Sequence, residues 1–178
     1  MKYSVVTYGE DVLRQKAVEV GEITDDIRKL AKDMLKCMYD AEGVGLAAEQ
    51  IGRTERICVI DIPEEAEKKD CVEFNRPVAM PLVLVDPIIK ELSAKTQRGN
   101  EGCLSFPDIS VPLTRANEVE VEYTDLEGAR RTIRVRGLLA RAVQHECDHL
   151  DGVLLVDRMS PVQRLSVKGK LKRLAQNA

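Results

Sequence analysis

Between residues 25 and 42, apolar side chains recur at Ile27, Leu30, Ala31, Met34, Leu35 and Met38, a spacing that lays one apolar stripe along an α-helix. Thr24 is placed to cap that helix, and Asp25 and Asp26 fall at the positive end of its dipole. The period then changes. Residues 56–62 and 81–87 are apolar runs that read as buried strands; Pro63 ends the first, and residues 64–70 form a charged surface excursion. From residue 117 to 136 the period is two: Val119, Val121 and Tyr123 alternate with glutamates, then Ile133 and Val135 alternate with Thr132, Arg134 and Arg136. A loop of Leu126, Glu127 and a left-handed Gly128 registers Val121 opposite Ile133 and Glu120 opposite Arg134. Such exposed charge pairs contribute only ~0.2–1 kcal/mol each, so these rows read as a solvated sheet face rather than a binding patch.

After Gly137 the helical period returns and runs to about Leu150, through Gln144-His145-Glu146-Cys147-Asp148-His149. Leu139, Val143, Cys147 and Leu150 form an apolar face, which places the helix inside the protein. The opposite face carries His145 and His149, the two histidines of the chain. Spaced four apart on a helix, both imidazoles can reach one ion, with Glu146 beside it. Two histidines can equally cap a helix or face solvent, and a catalytic site of this kind needs a third protein ligand. Nothing downstream supplies one: Leu155 stands where a further histidine would be needed, and no glutamate follows Glu146. Upstream, in Glu101-Gly102-Cys103-Leu104-Ser105, Cys103 is the candidate, because Gly102 exposes backbone, polar residues are close by and Pro107 stiffens the exit. Cys147, two residues from His145, points roughly 200° away and is expected in the core; Cys37, Cys58 and Cys71 read as small core or loop residues. Leu138, Arg141 and Ala142 share the histidine face and should floor a metal cleft. The glycines of Gly43-Val44-Gly45 permit close approach to a ligand, but the pattern alone favours a helix cap and turn. No Gly-Lys-Ser/Thr follows, which excludes a phosphate loop.

With 178 residues and 44% hydrophobic content, the chain is expected to form one domain over residues 1–178. Aromatics are 3%, so its core must be aliphatic. A net charge of −3 gives no overall nucleic-acid footprint, and sequence-specific nucleic-acid binding is not expected. Five cysteines, an odd number, and an N-terminal arm without a signal-like apolar run point to a reducing cytoplasm. No run of 18 apolar residues offers a membrane span. Ser160-Pro161 opens a last helix over residues 161–178, on which Arg164, Lys168, Lys170, Lys172 and Arg173 are unbalanced by any acid. A frayed solvated tail and contact with RNA or another anionic partner both remain open for it.

The segments Gly43-Val44-Gly45-Leu46-Ala47-Ala48-Glu49-Gln50, Glu101-Gly102-Cys103-Leu104-Ser105 and Gln144-His145-Glu146-Cys147-Asp148-His149 together resemble the three signature motifs of peptide deformylase, in order and across nearly the whole chain. The resemblance implies an α+β fold: antiparallel β-sheets packed around a central metal-binding HExxH helix, with an N-terminal amphipathic helix and a C-terminal helix. It implies removal of the formyl group from N-formylmethionyl nascent peptides, with release of formate. Cys103, His145 and His149 would bind one divalent ion, physiologically Fe2+, with Ni2+, Co2+ or Zn2+ also able to occupy the site. Glu146 would be the acid/base, with Gln50 and the Leu104 backbone N–H stabilising the oxyanion. Val44, Gly45 and Gly102 would offer backbone groups to an extended peptide, and Leu138, Arg141 and Ala142 would border the methionine pocket. Ribosome contact through the basic last helix is a further implication. Two departures stand out. Many bacterial members carry an arginine shortly after the second motif where this chain has Ile109-Ser110, with Arg115 later, so that role is left unassigned; Glu49 fills a variable position with a charge expected at the cleft rim. The rival reading, a metallo-endopeptidase with the same His-Glu-His chemistry, lacks its downstream ligand. A structural zinc would want a fourth protein ligand, and Cys147 faces the wrong way for that.

Overall fold

Thr24 accepts a hydrogen bond from the Ile27 amide and opens helix α1 (Asp25–Asp40) in a computed structural model that describes residues 3–178. Met1 and Lys2, the start of the N-terminal arm, lie outside the described residues. Leu30, Ala31, Met34, Cys37 and Met38 are the buried stripe of α1. The helix does not end on a glycine. Glu42 takes the left-handed turn, with φ 56°, while the Gly43 amide donates back to the Met38 carbonyl at 2.9 Å. The segment is the helix cap and turn that its pattern favours: Gly43 closes the cap bond, and Glu42 rather than a glycine takes the left-handed position.

Five antiparallel strands form the main sheet in the order β1 (Gly45–Ala47), β2 (Ile57–Ile60), β3 (Leu82–Leu92), β6 (Glu118–Thr124), β7 (Arg130–Arg136). The last two pair as expected, with Val121 opposite Ile133, Glu120 opposite Arg134, and Gly128 at φ 86° in the loop. Strand β3 continues beyond the expected stop at Pro87. A register shift between Val85 and Ile88, with Asp86 at φ 48°, accommodates the residue that has no N–H to give. Strands β4 (Thr96–Gly102) and β5 (Ser110–Ala116) form a separate hairpin that the sequence reading did not identify.

The charged excursion also folds: residues Lys69–Asn75 form α2, preceded by a 3-10 turn at Glu64–Ala66. Its purpose is visible at α3 (Gly137–Leu150), whose N-cap residue Arg136 makes no side-chain cap. Glu67 instead accepts from the Leu139 amide at 3.1 Å, and Asn75 both accepts from the Arg136 amide and donates to its carbonyl. This places a carboxylate at the positive end of the helix dipole. Gly137 turns there at φ 66°, and a Cβ would stand 2.5 Å from Glu67 Oε1. Helix α3 buries Leu139, Val143, Cys147 and Leu150 among Cys58, Ile60, Leu84, Val119 and Val121. The short α4 (Leu155–Arg158) leads to α5 (Pro161–Asn177), capped by Ser160. Val167, Leu171 and Leu174 of α5 dock on a third core cluster around Phe106 and Leu154, so this helix is seated rather than a frayed tail.

Candidate metal centre and cleft

His145 and His149, one turn apart on α3, bring their Nε2 atoms to 3.2 Å, and Cys103 Sγ lies 3.2 Å from His149 Nε2. The three ligand atoms lie within 4.8 Å of one another. Cys103 is delivered by the turn after β4, and the last strand residues set its surroundings. Glu101 Oε1 sits 2.7 Å from His145 Nδ1. Since a carboxylate accepts, Nδ1 carries a proton, and Nε2 is the ring nitrogen that faces the other two donors. Two imidazole nitrogens and a sulfur converging in this way fit a divalent ion with a fourth position left open.

Glu101 is itself held on all sides. Arg115 donates to it at 2.6 and 3.1 Å and Arg141 at 2.9 Å, with all three side chains buried. Arg115 passes on to Asp148 at 2.7 Å, and Arg158 clamps Asp148 from outside at 2.6 Å. Burial pushes the Glu101 carboxyl up, but hydrogen bonds from His145 and Arg115 outweigh it and hold the group well below the usual range. It therefore stays a carboxylate. Burial pulls His145 down, yet its bonds to Cys103 and Glu101 carry it above its ordinary value. For His149 burial, then the neighbouring His145 charge, leaves the ring neutral, the form in which it binds a metal.

Glu146 points to the other side of the same centre. It is 3% exposed, its Oε2 has no hydrogen-bond partner among the described residues, and burial raises it to about 7. Its Oε1 fills the space where a Gly45 Cβ would be, just as the Leu104 side chain packs into the space at Gly43, 2.6 Å from a Cβ there. Neither glycine has a positive φ, so close approach is what demands them. Gln50 is fixed at three points: Oε1 accepts from the Ala47 amide at 2.9 Å, and Nε2 reaches Ser105 Oγ at 3.1 Å and Cys103 Sγ at 3.4 Å. The N-terminal arm braces this arrangement through Val6 to the Gln50 carbonyl and Tyr8 to the Ser105 carbonyl.

A cleft of about 710 Å³ opens over these groups. Val44, Gly45, Gln50, Gly102, Cys103, Leu104, Leu138, Arg141, Ala142, His145 and Glu146 all line it, whereas His149 lies buried behind. The Arg141 guanidinium is turned to Glu101 and to the Gln97 and Leu113 carbonyls, so the cleft meets only part of this side chain. A larger groove of about 960 Å³ between β5 and α5 carries Arg115, Asp148 and Arg158, but these groups pair with one another.

The sequence reading assigned no role to Glu101, Arg115, Asp148 or Ser105. One signal was available: Val111, Leu113 and Arg115 share a strand face, which puts a charge at an inward position in need of a buried partner. Glu49 corrects an expectation. It is 0% exposed rather than at the rim, neither carboxyl oxygen has a hydrogen-bond partner among the described residues, and burial raises it from 4.5 to about 8. Below pH 4.5 the folded and unfolded chains both keep this proton; between the two values only the unfolded chain releases it. Stability should therefore fall as pH rises through this window, with a limiting slope of about 1.4 kcal/mol per unit. Glu49→Gln is expected to remove that component in urea unfolding at pH 5 and pH 8, and equal losses in the two proteins would refute it.

The polypeptide deformylase family model matches residues 2–165. A peptide deformylase of Rickettsia typhi is 43% identical over 175 residues, 98% of this chain and 97% of its own length. One from Picosynechococcus sp. is 42% identical over 165 residues, 93% of this chain and 82% of the relative. Among solved structures, a peptide deformylase from Synechococcus elongatus in complex with actinonin superposes with a TM-score of 0.83 at 38% identity, over 96% of this chain and 86% of that one.

Proposed function

The chain belongs to the polypeptide deformylase family, metal-dependent hydrolases that remove the N-formyl group from newly made polypeptides, and from that premise we propose how its residues divide the work. Cys103, His145 and His149 hold one divalent ion. When bound, the ion makes a water acidic and polarises the formyl oxygen. Glu146 takes the proton of the attacking water and returns it to the leaving amine, a two-way role suited to a carboxyl raised to about 7. The Gln50 side-chain amide, releasing its long bond to Cys103 Sγ, and the Leu104 backbone N–H donate to the oxyanion. Glu101 fixes the tautomer of His145, and Arg115 and Arg141 keep Glu101 charged.

The substrate backbone lies extended in the cleft, against Val44 and Gly45 at the edge strand β1 and Gly102 at the end of β4. Leu138 and Ala142, with the stem of Arg141, border the methionine side chain. The observation that carries this reading is the meeting of three soft and borderline donors with Glu146 and Gln50 at the base of one cleft. It also favours deformylation over the alternative, an HExxH endopeptidase.

Ferrous-loaded protein should release formate from formyl-Met-Ala-Ser, leave acetyl-Met-Ala-Ser intact and not cleave an internal peptide. Internal cleavage, or no formate, would sink the assignment. Fe2+ is the ion we assign physiologically; Ni2+, Co2+ and Zn2+ suit the same donors. Residues 1–178 act as one catalytic domain in the cytoplasm, where formylated chains are made. Among the described residues no helix is long and apolar enough to cross a membrane. The basic face of α5 offers Lys168, Lys172 and Arg173 to the ribosome. Reversing these three charges should reduce ribosome co-sedimentation, and unchanged co-sedimentation would end that idea.

A further inference from the structure

We infer that Arg158 is a positioning residue of the metal centre, holding the orientation of His145 from the outside of the molecule through Asp148, Arg115 and Glu101. The inference rests on the metal-binding reading of Cys103, His145 and His149 and extends it to a residue of α4. The line of contacts is continuous. Glu101 Oε1 meets His145 Nδ1 at 2.7 Å, and Arg115 holds Glu101 with Nη2 at 2.6 Å and Nε at 3.1 Å. The remaining nitrogen of Arg115, Nη1, donates to Asp148 Oδ2 at 2.7 Å. Arg158 closes the line with Nη2 on Asp148 Oδ1 at 2.6 Å and Nε on Oδ2 at 3.0 Å.

A planar guanidinium that binds through two nitrogens fixes the plane of the carboxylate it holds. Arg115 directs its fork at Glu101, so Asp148 receives a single bond from it, about which the Asp148 carboxylate could turn. The Arg158 fork supplies the second point of attachment, and among the described residues no further donor reaches this side chain. Asp148 sits on α3 between His145 and His149, with its side chain only 15% exposed. Once turned, its carboxylate would stay beside Arg115 and compete with Glu101 for the guanidinium. Arg158 can prevent this from an exposed position because its own backbone is anchored. Val156 and Met159 beside it are buried, and Asp157 caps α4 by accepting from the Leu154 amide at 2.8 Å. An ion pair with one member half open to water contributes little to stability, so the effect of Arg158 lies in the alignment of the groups behind it.

Zinc-loaded protein tests this without reference to turnover. Outer partners of a ligating imidazole typically contribute about 10–100-fold in metal affinity, and Arg158 stands further out, so Arg158→Ala should release zinc to a chromogenic chelator about tenfold faster than wild type. The proton resonance of His145 Nδ1–H should shift in the same variant, while far-UV circular dichroism stays as in wild type. Arg158→Lys, which offers a point charge in place of a fork, should recover part of both changes. In an Asp148→Asn background, Arg158→Ala should add less than about twofold, because the line is already cut. Arg14→Ala breaks the other ion pair of α4, to Asp157, and should leave zinc release and the His145 resonance unchanged. Equal release from Arg158→Ala and wild type, the same acceleration in Arg14→Ala, or an undiminished effect in the Asp148→Asn background would each overturn the proposal. Wild-type protein that binds no zinc would instead overturn the reading of the three ligands beneath it.

Discussion

Glu146→Gln protein is expected to hold one metal ion per chain, as the wild type does, while its turnover of formyl-Met-Ala-Ser falls by about 10²–10⁴, the usual worth of a placed acid/base. The two effects separate because Glu146 is not among the converging donors. Cys103, His145 and His149 meet within 4.8 Å, and the Glu146 carboxyl extends from the same helix toward Gly45. Glutamine keeps the shape that fills the space at Gly45 and removes only the proton traffic. Gln50 gives the contrast within the same assay. Gln50→Leu should also retain metal and lose about 10²–10³ in kcat, the usual cost of one oxyanion donor. Metal loss in Glu146→Gln, or turnover within tenfold of wild type, would remove Glu146 from the proposed role.

Much of this arrangement was legible in local pattern. The i, i+4 histidines and the apolar face of Leu139, Val143, Cys147 and Leu150 define α3 and its orientation, because helical period and burial are local properties. The hairpin register followed from alternation and Gly128. Strand β4 escaped notice because its burial alternates among polar and charged residues, and β5 because its apolar alternation, Val111 and Leu113, lasts only two steps before the charged Arg115 takes the next inward position. Glu101 and Arg115 are fourteen residues apart in sequence and matter only because the hairpin folds them together against α3. Glu49 misled for the opposite reason: a charge in a motif reads as surface, and only the tertiary structure shows it enclosed. Glu67 likewise looked like part of a solvated run, yet it accepts from an α3 amide that no local residue caps.

Cys103→Ala should lose both properties that Glu146→Gln separates. Metal is expected to fall from about one ion per chain to under about a tenth, because two imidazoles alone make an incomplete site for a divalent ion. Activity should disappear with it. The fold should persist, since Cys103 is half-buried at the edge of its core cluster rather than within it. Far-UV circular dichroism close to wild type would show that the loss is local. An active, metal-replete Cys103→Ala protein would refute the ligand assignment. The most direct measurement is X-ray absorption at the nickel edge of the nickel-loaded wild type. Cys103, His145 and His149 together require a first shell of one sulfur and two imidazole nitrogens, completed by an exchangeable oxygen. A shell without sulfur, or one closed by a fourth protein ligand, would contradict the site on which every proposed role depends.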